Sequence, residues 1–242
     1  MRRGLLLVLL ISLLLVAGTQ PLSAQDGPVV VLEISGVINP LTTQYLERGL
    51  RAARDQEARL VVIELDTPGG LESAMRDIVQ LLLDARLPTV VYVTPGGARA
   101  TSAGLFILMA ADVAAMAPAT HVGAAHPVPL GGESGEVMDE KAVSDAAALV
   151  RSIAITRGRN AEWAEQAVRD NLSVTAEEAL ELNVIDLIAV DLDDLLQQLD
   201  GRDIAGVSLE TANAGIEAQP MNLVERLFHV ITDPNIAYLL LS

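Results

Sequence analysis

Leu87-Pro-Thr-Val-Val-Tyr-Val-Thr94, Pro95-Gly-Gly97, Ala98-Arg-Ala-Thr-Ser-Ala-Gly104 and Leu105-Phe-Ile-Leu-Met-Ala-Ala111 follow one another without a gap. The first run, rich in Val and Thr, predicts a buried strand. The last predicts a buried helix. A chain that leaves a strand at Pro95-Gly-Gly97 and restarts as a helix near Ser102 turns free backbone N–H groups toward whatever sits beside that hydroxyl. An oxyanion site is built in this way, so Ser102 is the candidate nucleophile. The alternative reading makes Ser102 an N-cap residue with small neighbours for tight packing.

The same strand and helix rhythm extends in both directions. Val29 to Ile34 reads as a strand, and Asn39-Pro40 opens a helix running to about Glu57. Leu60 to Leu65 is a second buried strand. Leu71 to Ala85 then carries Leu71, Met75, Ile78, Val79, Leu82 and Leu83 at helical spacing. Strands are expected at Val113 to Ala117, His121 to Ala124 and Val184 to Val190. Helices are expected from Met138 to Arg157, from Asn160, from the capping box Thr175-Ala-Glu-Glu178 and from Leu192 to Leu199. Alternation of this kind predicts an α/β protein of mostly parallel strands with helices packed outside them. Pro127 to Val137 has no periodicity and reads as a lid-like loop. Arg202 to Gln219 reads as a short β excursion or linker.

Composition narrows the function classes. The 242 residues, 51% of them hydrophobic, suffice for one domain of about 180–200 residues plus end segments. A net charge of −16 argues against a nucleic-acid surface. The absence of cysteine excludes disulfides, thiol nucleophiles and thiolate-held metals. His121, His126 and His229 do not stand at a metal-ligand spacing, so no metal and no cofactor are expected. Of 16 basic residues only Lys141 is a lysine. Arginine cannot give up its proton in a protein, whereas a desolvated lysine can, so Lys141 is the one amine whose position matters, with a solvated helix position as the alternative reading.

The two ends differ from the middle. Arg2 and Arg3, an apolar run from Leu5 to Ala17 and the small-residue site Leu22-Ser-Ala24 read as a secretory signal peptide over residues 1–24, with an uncleaved anchor as the alternative. Export would place the rest of the chain outside the cytoplasm. At the other end, Leu223, Leu227 and Val230 share one helical face away from Glu225 and Arg226, and Ile236 to Leu241 is wholly apolar. Six residues cannot span a bilayer. Residues 221–242 are expected to lead toward a membrane region outside this sequence.

Asp66-Thr-Pro-Gly-Gly70 lies between a buried strand and a helix, where Gly69 and Gly70 can approach a substrate closely and offer N–H groups. With the N–H of Ala103, they are the candidate oxyanion-hole donors.

Four motifs in order, Leu65-Asp-Thr-Pro-Gly-Gly-Leu71, Gly97-Ala-Arg-Ala-Thr-Ser-Ala-Gly104, Val122-Gly-Ala-Ala-His-Pro-Val128 and Asp145-Ala-Ala-Ala-Leu-Val-Arg-Ser-Ile-Ala154 with Arg157-Gly-Arg-Asn160, resemble those of the NfeD-type membrane-bound serine proteases. These are distant relatives of ClpP and of signal peptide peptidase A. The resemblance covers Val29 to Leu199. It implies a ClpP/crotonase-like fold of stacked β-β-α units in a protease domain over residues 25–200, and the weakly patterned residues 201–220 beyond it read as a linker or β excursion. It also implies a homo-oligomer, a Ser102–Lys141 dyad, and substrates that are apolar segments of stomatin-like membrane proteins. His126 falls where ClpP carries its catalytic histidine and is the alternative base, with Asp145 or Asp170 as its carboxylate. Glu72 and Glu133 are expected on solvated surfaces.

The resulting expectation is an exported, membrane-associated serine endopeptidase at the periplasmic or outer face. A crotonase-type acyl-CoA enzyme and a catalytically inactive membrane-assembly scaffold are the competing classes.

Overall fold

In the computed structural model the described residues are 27–128 and 136–231, so the expected signal segment, Glu133 and the last apolar run lie outside them. Strand β1 (Val29–Ser35) and strand β2 (Leu60–Asp66) are buried over their first four residues, and β3 (Thr89–Val93) throughout, as strands covered on both faces must be. Between them, Asn39 caps α1 (Pro40–Asp55), accepting from the N–H groups of Leu41 and Thr42. Thr42 answers with its own side chain, and Pro40 stands where a missing N–H costs nothing. Helix α2 (Glu72–Leu83) buries Ala74, Met75, Ile78, Val79 and Leu82.

The chain continues through β4 (Arg99–Thr101), α3 (Ala103–Ala110), β5 (Val113–Met116) and β6 (His121–Gly123). Next come α4 (Glu136–Thr156), α5 (Ala161–Arg169), β7 (Ser173–Thr175), α6 (Ala176–Glu181) and β8 (Leu187–Ile188). Helix α7 (Leu192–Leu199), β9 (Asp203–Ile204), β10 (Val207–Ser208), β11 (Ile216–Ala218) and α8 (Leu223–Ile231) complete it.

Six strands form one parallel sheet in the order β11-β1-β2-β3-β5-β8. Leu32, Ile34, Ile63, Leu65, Val91 and Val93 point from one face into the core shared with α1 to α5. Val31, Val62, Val90 and Tyr92 point from the other face toward Leu195, Leu196 and Leu199 of α7. A second sheet, β4-β6-β7, pairs β4 with β6 in parallel and β6 with β7 antiparallel. A bridge from Thr67 to Ala100 ties it to the segment that follows β2. The two layers of strands with intervening helices are the α/β architecture that the sequence predicts.

Three local differences have physical causes. The strand expected over Val184 to Val190 is only Leu187–Ile188. Asn183 turns through a φ of 57°, and Asp186 spends its carboxylate on the Ala114 N–H (2.7 Å) and on Arg159. Strands β4 and β7 are too short to leave a period in the sequence. Helix α8 turns Glu225 inward, at 8% exposed, while Arg226 is exposed and Leu223 and Leu227 are 83% and 59% exposed. Arg48 on α1 accounts for this, since its Nε and Nη2 donate to the two Glu225 carboxylate oxygens at 2.9 and 2.7 Å.

Candidate active site

After β2 the chain from Thr67 to Leu71 passes between two neighbours, turning at Gly69. On one side Ile38 donates its N–H to the Gly69 carbonyl and accepts from the Leu71 N–H, both at 2.9 Å. On the other side Thr67 donates to the Arg99 carbonyl (2.8 Å) and accepts from the Thr101 N–H (3.2 Å). None of these bonds uses the N–H of Gly70, which has no hydrogen-bond partner among the described residues.

Ser102 joins β4 to α3 at φ 55° and ψ −117°, a conformation that L-residues rarely adopt. Such strain costs about 1–3 kcal/mol and persists only where the surroundings impose it. Here the Ser102 N–H is tied to the Gly123 carbonyl at 3.0 Å, and Thr101 is held by Thr67 through both its N–H and its Oγ1. The consequence is a sharp strand-to-helix elbow with the hydroxyl at its tip. The side chain makes no cap hydrogen bond to α3, so Ser102 does not cap the helix, although its small neighbours Ala100, Ala103 and Gly104 are buried as the packing alternative expects. The hydroxyl has no hydrogen-bond partner among the described residues, and neither does the N–H of Ala103.

Gly69 lies directly against this elbow. A Cβ added to it would stand 2.6 Å from the Ser102 Cβ and 2.9 Å from its Oγ, and its φ is +116°. Only glycine fits there. The Gly69 N–H, however, donates to Thr67 Oγ1 at 3.0 Å. Of the three candidate donors, Gly70 and Ala103 have N–H groups available, and Gly69 shapes the wall. Thr67, fully buried, was not singled out by the sequence reading, although it stands inside the Asp-Thr-Pro-Gly-Gly run. The same is true of Gly123, whose carbonyl anchors the elbow.

Lys141 lies in the second turn of α4, a helix that packs on α3, and its exposed side chain engages no carboxylate among the described residues. His126 is also exposed. Its Nδ1 donates to the Val168 carbonyl on α5 at 3.0 Å, which leaves Nε2 as the accepting nitrogen of the neutral ring. Asp145 is paired with Arg76, which also holds Glu72 at 2.7 Å on the surface, so Asp145 is committed away from His126. Asp170 is exposed at the end of α5.

The fold is that of ClpP-like proteases. It matches ClpP1 from Listeria monocytogenes with a TM-score of 0.55 at 20% identity, over 68% of this chain and 94% of that one. A closer match is the 1510-N membrane-bound stomatin-specific protease, solved as a Lys-to-Ala variant in complex with a substrate peptide. There the TM-score is 0.76 at 33% identity, over 86% of this chain and 98% of that one.

The chain belongs to the NfeD1b N-terminal domain family, whose model matches residues 28–208. It is 35% identical to the membrane-bound protease PH1510 of Pyrococcus horikoshii over 97% of its own length, and 32% identical to the membrane protein NfeD1b of Bacillus subtilis over 67%. The chain spans 55% and 36% of the lengths of these two relatives.

Proposed function

We propose that this chain is the protease domain of an exported, membrane-associated serine endopeptidase that cleaves apolar segments of stomatin-like membrane proteins, with Ser102 as nucleophile and Lys141 as general base. The observation that carries the reading is the strained elbow at Ser102, whose hydroxyl, like the N–H groups of Ala103 and Gly70, has no hydrogen-bond partner among the described residues. Solved structures of the stomatin-specific relative include a Ser-to-Ala and a Lys-to-Ala variant, the latter holding substrate, which supports a Ser–Lys mechanism here.

In this mechanism Lys141 takes the proton from the Ser102 hydroxyl as Oγ bonds to the scissile carbonyl carbon. The N–H groups of Gly70 and Ala103 hold the oxygen that becomes negative, each such donor being worth about 3–4 kcal/mol. Lys141 then returns the proton to the departing amine, and a water deprotonated by Lys141 releases the acyl group. An amine serves as base only in its neutral form, which desolvation favours. An apolar substrate seated over the exposed Lys141 would exclude water from it. The apolar residues Val128, ahead of α4, and Met138, in its first turn, are 78% and 68% exposed and suit such a substrate.

Peptide cleavage and fluorophosphonate labelling test the assignment. Ser102→Ala loses both while remaining folded. Lys141→Arg is as inactive as Lys141→Ala, each down by roughly 10³-fold or more, because guanidinium keeps the charge but cannot act as a base. The wild-type rate rises with pH well above the ~6.5 expected of a histidine base. His126→Ala keeps most of the activity. Normal cleavage by Lys141→Arg together with a dead His126→Ala would transfer the base to His126. A Ser102→Ala variant cleaving at the wild-type rate would refute the reading altogether.

A further inference from the structure

The run Arg157-Gly-Arg-Asn160 lies at the far end of α4 from Lys141, and each of its residues has a distinct role. Arg159 donates its N–H to the Ala154 carbonyl (2.8 Å) and Gly158 donates to Ile155 (3.2 Å), with Gly158 at φ +70°. This is the paired bonding that closes a helix and reverses the chain. Asn160 then caps α5, accepting from the Trp163 N–H. The reversal delivers both arginines to one place, the C-terminal end of α3.

There Arg159 Nη1 donates to the carbonyls of Met109 and Ala111 at 2.8 and 2.9 Å, and Arg157 Nε donates to the carbonyl of Ala110 at 2.8 Å. Three successive carbonyls at the end of α3 are thus held by guanidinium groups. The arginines are themselves fixed. Arg157 Nη1 meets Asp112 at 2.5 Å and its Nη2 meets the Leu82 carbonyl, while Arg159 Nη2 meets Asp186. Asp112 is in turn held by the N–H and hydroxyl of Thr89 on β3.

Helix α3 needs this anchor more than most. All eight of its residues are buried and none carries a polar side chain, so apart from close packing no side-chain hydrogen bond of its own fixes it along its axis. Its N-terminus has no side-chain cap and is tied by backbone alone, from the Ser102 N–H to the Gly123 carbonyl. That terminus carries Ser102 and the Ala103 N–H. An axial shift of the helix would move the nucleophile and one oxyanion donor together against Gly70, which is fixed to Ile38 through its two neighbours.

We propose that Arg157 and Arg159 are positioning residues for the reaction: by holding the C-terminal carbonyls of α3 they set the distance between the Ser102–Ala103 elbow and Gly70. The cations also complement the negative end of the helix. The proposal rests on Ser102 being the nucleophile.

The test is the time course of fluorophosphonate labelling of the full chain, read as two numbers: the fraction labelled at completion and the rate constant. Arg157→Gln keeps the bulk of the side chain and removes its charge and its donor to Ala110. The expectation is complete final labelling with a rate constant lowered roughly 10- to 100-fold, the scale of a reacting group misplaced by about 1 Å. The more buried Arg159→Lys is expected to behave alike. The pH at half-maximal rate stays that of the wild type, because the base is untouched. A purely structural role gives the opposite pattern, an unchanged rate constant with a smaller labelled fraction, and that result in Arg157→Gln would overturn the proposal. A wild-type protein unlabelled at Ser102 would overturn the nucleophile reading and this proposal with it.

Discussion

At Ser102 the backbone holds a conformation that glycine adopts freely and serine does not. Ser102→Gly should therefore raise stability by about 1 kcal/mol relative to both the wild type and Ser102→Ala, while abolishing labelling. Urea denaturation of the three proteins is the check, and a glycine variant no more stable than the alanine variant would show that residue 102 stores no strain. The place of the elbow was legible in the sequence, because a Val-rich run, a Pro-Gly-Gly break and an apolar helix mark where a strand gives way to a helix. The close approach of Gly69 was legible for a similar local reason, whereas Lys141 was singled out by composition and its role as base is part of the proposal. The strain was not legible, since it is imposed by Thr67 and by Gly123, residues distant in the chain that no local pattern links to position 102. For the same reason the commitment of the Gly69 N–H to Thr67 could only be found in three dimensions.

Helices and long strands followed from periodicity to within a few residues, as with α2, expected over Leu71 to Ala85 and observed over Glu72–Leu83. Periodicity divides a helix into faces without saying which one turns inward. In α8 the decision falls to one ion pair. The Arg48 hydrogen bond holds the Glu225 carboxyl below its usual value. A carboxyl whose pKa is depressed by folding contributes stability that is present above the unfolded value of ~4.3 and is lost as the pH falls through the folded value. Glu225→Gln should thus loosen α8 at neutral pH by about 1 kcal/mol, with the difference from wild type vanishing as the pH falls below ~4. Amide exchange along Leu223–Ile231 at pH 7 and at low pH would show this, and equal protection of the two proteins at pH 7 would refute it. The outward apolar residues of α8 also make a second element-scale expectation. Removal of residues 221–242 should lower the share of protein recovered with membranes, and an unchanged share would count against a membrane role for this end. No helix among the described residues is long and apolar enough to cross a bilayer.

Over the whole molecule, the family match stops at residue 208, yet the parallel sheet does not. Strand β11 lies beyond that boundary and pairs Ile216, Glu217 and Ala218 with Val29, Val30 and Val31. A chain cut after Ser208 would keep the elbow, α4 and the arginine anchor but leave a valine-rich edge open to pairing with other chains. It should aggregate at concentrations where the longer chain remains dispersed, which light scattering would detect. A monodisperse, fully folded product would mean that the edge needs no cover.

That pairing also has a consequence in time. Within this sheet β1 is made first and β11 last, so the partner that seals the valines of β1 is synthesised after everything between them. At about 5–20 residues per second, the first strand emerges on the order of 10–40 s before its cover exists. The nascent chain must pass that interval with one side of its earliest strand unsealed, and completion of the sheet waits for its most distant contact.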